Sequence, residues 1–176
     1  MALRDVIKLP HPTLRRTAHK VEKFDKNLQK LVDDMIQTMR DEPGVGLAAP
    51  QVNISQRLIV VEYPVDDSVE NAKARVFIVA NPEISARSDE TVDGIEGCLS
   101  VPNLYGQVTR AQSVTVEGQN QHGDDVHIEA SGWLARIFQH EIDHLNGRLF
   151  LDHLSPAKRK SVIKEFERAQ REEGDE

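Results

Sequence analysis

The segment His140-Glu141-Ile142-Asp143-His144 places two imidazoles four positions apart, with a carboxylate between them. On a helix, residues i and i+4 lie one above the other on the same face. His140 and His144 can therefore offer two nitrogens to one metal ion, with Glu141 beside that face and near any water the ion holds. The bland alternative is a pair of surface histidines that offset the negative end of a helix dipole. Two ligands leave a tetrahedral site incomplete, because a catalytic site commonly takes three protein ligands and keeps a fourth position open. Downstream, the third ligand could come from His153 or from a glutamate beginning at Glu165. Upstream, Glu96-Gly97-Cys98-Leu99-Ser100 holds the only cysteine of the chain. A thiolate with two imidazoles suits Fe, Zn, Co or Ni, and the metal would keep the thiol deprotonated. The plain reading of a lone free cysteine is a small buried side chain. One cysteine makes no internal disulfide, so a disulfide scaffold is excluded.

These residues need elements to hold them. A helix over about 131–146 would carry the two histidines, with Ser131 as N-cap and Gly147 as its stop. An earlier helix is predicted over 25–41. Asp25 caps it, and Leu28, Leu31, Val32, Met35, Ile36 and Met39 form one apolar stripe. A third helix begins at Ser155-Pro156, with Pro at the first helical position, and ends by about Arg171. Val- and Ile-rich segments at Leu58–Tyr63, Val76–Asn81, Val108–Val116 and Val126–Ala130 read as strands. Residues 64–74 read as an exposed polar loop and 119–125 as a hairpin turn. GVGLAAPQ, residues 44–51, fits neither a helix nor an alternating strand. The order of elements suggests an α+β fold: small mixed or antiparallel sheets around a central HExxH helix, with an N-terminal and a C-terminal helix. The 176 residues suggest one domain, 1–176, with 155–176 as a helical extension.

Net charge is −7, with 39% hydrophobic and 29% charged residues. That composition supports one core, and the acidic balance argues against general nucleic-acid binding. Apolar runs of about four residues are far short of the roughly 20 that a membrane helix needs. The N-terminus has no apolar leader and no Arg- and Ser-rich transit character, which predicts a cytoplasmic protein.

Three spaced motifs then converge: GVGLAAPQ at 44–51, EGCLS at 96–100 and HEIDH at 140–144. Together with Pro10-His11-Pro12-Thr13-Leu14-Arg15, they resemble the peptide deformylase family over roughly residues 5–160. The resemblance implies a bacterial or organellar hydrolase that removes the N-formyl group from the initiator methionine of new proteins and releases formate. It implies Cys98, His140 and His144 as metal ligands, Glu141 as general base, and Gln51 and the Leu99 backbone N–H as donors to the oxyanion. It implies one divalent metal per chain, with Fe(II) the usual cellular ion and Zn, Ni or Co as substitutes. The backbone of Gly44, Val45 and Gly46 would pair with an extended formyl-methionyl peptide. Trp133 and Ile137, four residues apart, are candidates for the methionine pocket, although a plain reading makes both core residues. Glu96 and Asp143 are candidates for orienting the ligands. Tyr105 stands where some bacterial members carry a basic residue. In members with such a tail, the last helix can approach the ribosome; here the stripe would be Lys160, Lys164, Arg168 and Arg171, and the plain reading is a solvated face. Two other classes are distinguishable. An HExxH protease would take its third ligand downstream, and a structural metal site would have no use for Glu141.

Overall fold

The computed structural model describes residues 2–174; Met1 and residues 175–176 of the expected 1–176 domain lie outside the described residues. Three α-helices, α1 (Lys26–Asp41), α2 (Gly132–Leu145) and α3 (Pro156–Gly174), pack with seven strands. In chain order the strands are β1 (Gly46–Ala48), β2 (Leu58–Tyr63), β3 (Arg75–Arg87), β4 (Thr91–Cys98), β5 (Val101–Ala111), β6 (Ser113–Gln119) and β7 (Asp125–Ser131). They form a five-stranded sheet in the order β1-β2-β3-β6-β7 and a separate β4-β5 hairpin. Every strand pair is antiparallel.

The unbroken apolar run at the start of β2 has a direct cause. Leu58 and Val60 face a core shared with the α1 stripe, while Ile59 and Val61 face a second core under α2. A strand covered on both faces needs apolar residues at every position. Asp25 caps α1 by accepting from the Leu28 N–H at 3.0 Å, as its sequence position suggests. Of the α1 stripe, only Ile36 stays partly exposed. A third core joins the β4-β5 hairpin to α3 through Val101, Leu104, Val108, Phe150, Val162 and Phe166.

Several expectations are corrected. The segment 108–116 is two strands, because the chain turns at Gln112. The 76–81 segment is the first half of a longer strand, Arg75–Arg87, that shifts register between Ala80 and Glu83, beside Asn81 with φ of 52°. Strands β1 and β4 have no clear signature in the sequence. The first is three residues long, and the second carries Asp93, Gly94, Glu96 and Gly97, which break the Val- and Ile-rich pattern of the other strands. Helix α3 runs a turn past Arg171. Ser131 holds the N-cap position of α2 without a side-chain cap bond; its hydroxyl lies 3.0 Å from that of Ser113. Gly147 ends α2 with φ of 71°. Among the described residues, no helix is long and apolar enough to cross a membrane.

Candidate metal centre

Two elements meet at the site. Helix α2 brings His140 and His144 on one face, and the β4-β5 hairpin brings Cys98 at its turn. The ligand atoms of these three side chains all lie within 4.8 Å of one another, the one such group among the described residues. Cys98 Sγ is 3.4 Å from His144 Nε2. A tetrahedral centre with ligand bonds of about 2.0–2.3 Å has ligand–ligand edges of roughly 3.3–3.6 Å, so this spacing suits a metal. The electrostatics agree. Burial disfavours a thiolate, yet the His144 and His140 rings overcome it and hold the Cys98 thiol well below its ordinary pKa. The thiolate is thus favoured beside the two imidazoles, and it is the form in which cysteine binds a metal.

His140 is oriented from behind. Its Nδ1 lies 2.9 Å from Glu96 Oε1, which leaves Nε2 on the site side. Glu96 is itself buried and clamped by two guanidinium groups. Arg110 donates from Nε and Nη2 at 2.9 Å, and Arg136 donates from Nη1 at 2.6 Å. Although burial opposes its charge, Arg110 and His140 hold the Glu96 carboxyl far below the usual carboxylate range. Asp143 does not touch a candidate ligand; it accepts from Arg110 at 2.7 Å and stands 2.8 Å from His153 Nε2. That contact occupies His153 and takes it out of the group, and the group holds no downstream glutamate.

Glu141 stands at the edge of the site. Its Oε1 is 3.7 Å from His140 Nε2, while its buried Oε2 has no hydrogen-bond partner. Burial pushes its carboxyl pKa up, against the pull of the two imidazoles. Gly46 explains how the carboxylate fits: a Cβ there would stand 2.9 Å from Glu141 Cγ and 3.2 Å from Ile137 Cγ2. Strand β1 lies this close to α2 because it lacks that atom. Gln51 is oriented by its own carboxamide. Oε1 accepts from the Ala48 N–H at 3.0 Å, so Nε2 faces Cys98 Sγ at 3.5 Å and the Ser100 hydroxyl at 3.3 Å.

These groups open onto a cleft of about 520 Å³. Gly44, Val45 and Gly46 form one wall, and Leu99, Trp133 and Ile137 also line it. The core reading holds for Ile137, which is 9% exposed, but not for Trp133, which is 47% exposed at the rim. Tyr105 is 62% exposed, with its ring across Gly97.

Three supporting residues, Ser100, Arg110 and Arg136, carry little signal in the sequence alone. Ser100 sits one residue past Leu99. Arg110 lies in a strand whose neighbours alternate inward and outward. Arg136 carries the most: it is a charged residue in the apolar stretch Leu134–Phe138, four positions before His140. It binds Glu96, the Val108 carbonyl at 2.9 Å and the Val92 carbonyl at 2.7 Å, and so pins both strands of the hairpin to α2.

Comparison with known proteins gives a consistent result. The family model described as "Polypeptide deformylase" matches residues 3–160. The peptide deformylase of Bartonella quintana is 43% identical over 172 residues, covering 98% of this chain and 96% of that one. The one from Methylocella silvestris is 46% identical over 171 residues, covering 96% and 86%. Among solved structures, a peptide deformylase from Legionella pneumophila superposes with a TM-score of 0.88 at 41% identity and 99% coverage of both chains. That of Ehrlichia chaffeensis in complex with actinonin superposes at 0.89 with 39% identity, covering 97% and 99%.

Proposed function

The chain belongs to the polypeptide deformylase family, and on that premise we propose how its own residues carry out the reaction and which metal serves them. The activity is metal-dependent hydrolysis of the N-formyl group from the formylmethionine that begins new proteins, with release of formate. The observation that carries the residue assignment is the meeting of Cys98, His140 and His144 beside a carboxylate oxygen of Glu141 that is buried without a partner.

Cys98 Sγ, His140 and His144 hold the metal. When bound, it supplies the Lewis acidity that makes water a nucleophile near neutral pH. Glu141 takes the proton of the attacking water at its free oxygen and returns it to the leaving amine nitrogen. As negative charge develops on the formyl oxygen, the Gln51 Nε2–H and the Leu99 backbone N–H donate to it. Glu96 keeps the His140 ring turned so that its Nε2 faces the reacting side. The main chain of Gly44, Val45 and Gly46 pairs with the extended peptide, which leaves the residues after the first methionine unspecified. Trp133 and Ile137 offer an apolar wall to the methionine side chain. Asp143 acts one step further out, by holding Arg110 against Glu96.

Fe(II) is the proposed cellular metal, and the same donors accept Zn, Ni or Co. Bacterial nascent chains carry the formyl group in the cytoplasm, where we place the enzyme's action. The deciding assay is formate release from formyl-Met-Ala-Ser by protein purified anaerobically, with its metal content measured and each metal tested in turn. Turnover is expected with Fe(II) or Ni(II). No formate above the Cys98→Ala background would overturn the reading.

The stripe Lys160, Lys164, Arg168 and Arg171 lies exposed along α3, which buries only Val162 and Phe166. We propose a transient ribosome contact through it. Replacing all four with Gln keeps the buried side chains in place and is expected to reduce co-sedimentation with ribosomes, most visibly at low salt. Unchanged co-sedimentation would mark the stripe as an ordinary solvated face.

A further inference from the structure

The segment that precedes α1 does more than begin the chain. The Ile7 N–H donates to the Gln51 carbonyl at 2.8 Å, and the Leu9 N–H donates to the Ser100 carbonyl at 3.1 Å. Between those two anchor points, the Gln51 side chain crosses to Ser100, with Nε2 donating to the fully buried hydroxyl at 3.3 Å. The contacts close a ring: strap to Gln51, Gln51 to Ser100, Ser100 back to the strap. The strap is anchored at both ends. The Ala2 and Arg4 N–H groups bond Asp34 and Thr38 of α1, and the Arg4 guanidinium meets Asp34 at 2.9 Å. Further along, Leu9 packs against the third core, under α3. Val6 and Lys8, flanking Ile7, line the cleft.

The ring matters because Gln51 and Ser100 come from different pieces of the fold. Gln51 is on the short turn after β1, and Ser100 is in the turn of the β4-β5 hairpin. No ladder joins β1 to that hairpin. The strap binds both pieces by backbone groups, and so sets the distance between Gln51 Nε2 and the Cys98–Leu99 side of the site.

We infer that the strap, through the Ile7 and Leu9 backbone N–H groups, and the Ser100 hydroxyl position the Gln51 carboxamide for the developing oxyanion. The inference rests on the reading of Gln51 as a donor. Ile7 and Ser100 are positioning residues: each acts through Gln51.

The test uses the metal-loaded enzyme and formyl-Met-Ala-Ser. Ile7→Pro removes the N–H, and Ile7→Ala keeps it while removing side-chain bulk. Both are made in the parent and in Gln51→Ala. Gln51→Ala alone is expected to bind metal normally and lose about 10²–10³ in kcat. Ile7→Pro is expected to lower kcat about tenfold below Ile7→Ala, with KM within about twofold. On the Gln51→Ala background the same exchange is expected to change kcat by less than about twofold, because residues acting as a unit are not additive. Ser100→Ala should repeat this pattern, and it carries the decision if Ile7→Pro does not fold. Equal kcat for Ile7→Pro and Ile7→Ala, or for Ser100→Ala and the parent, overturns the inference. So does an equal fold-loss on both backgrounds, which would mean general loosening. Full kcat in Gln51→Ala itself overturns the donor reading and the inference with it.

Discussion

Glu141→Gln is expected to keep the fold and the metal and to lose about 10²–10⁴ of kcat on formyl-Met-Ala-Ser. The exchange preserves shape beside Gly46, where space is tight, and replaces a proton acceptor with an amide that cannot take the proton. The environment of Glu141 suits that task. Burial raises its pKa, the imidazoles restrain the rise, and one oxygen has no protein partner. A carboxylate whose pKa is moved toward the working pH is a better proton carrier than an exposed one. The informative pair of measurements is metal content with kcat. Full metal with collapsed kcat supports the base. Loss of metal would make Glu141 a ligand, and kcat within about twofold of the parent would remove the role.

Glu96→Ala is expected to cost about 3–5 kcal/mol of unfolding free energy. Arg110 and Arg136 are each 4% exposed at the side chain, and both rely on Glu96. Arg110 keeps Asp143 after the exchange, so most of the penalty falls on Arg136, left with two backbone carbonyls and no countercharge. The loss also frees the His140 ring, and outer partners of metal ligands typically govern 10–100-fold in metal affinity. Denaturant unfolding measures the first effect and chelator competition the second. A variant within about 1 kcal/mol of the parent would show that the guanidinium groups find other partners or water.

The two imidazoles and the thiolate were legible in the sequence because helical spacing fixes one pair and scarcity singles out Cys98. The carboxamide of Gln51 was legible only through its motif, since nothing in AAPQ by itself points its side chain anywhere. What stayed hidden was the support. Arg110 and Arg136 act through contacts between β4, β5 and α2, Ser100 acts through Gln51 and the strap, and β4 is not announced as a strand by its residues. Its glycines and acidic residues weaken the strand pattern, although the structure uses them: Gly94 lies against the Arg136 guanidinium and Glu96 turns inward. The strap was invisible for a related reason, because its contribution is made by backbone groups that carry no residue signature.

The division of the candidate ligands Cys98, His140 and His144 between the β4-β5 hairpin and α2 would tie metal occupancy to folding. Cys98 and the two histidines come together only after the hairpin has docked on the helix, so the unfolded chain offers no assembled site. An ion joining them would act as a removable cross-link between two pieces that also meet through Arg136, the Glu96 cluster and the Gln139 bonds to Ala111. Ligation favours the docked state by mass action. Metal depletion therefore acts on the persistence of the native chain as well as on its chemistry, and resistance to heat should rise and fall with the free concentration of the ion.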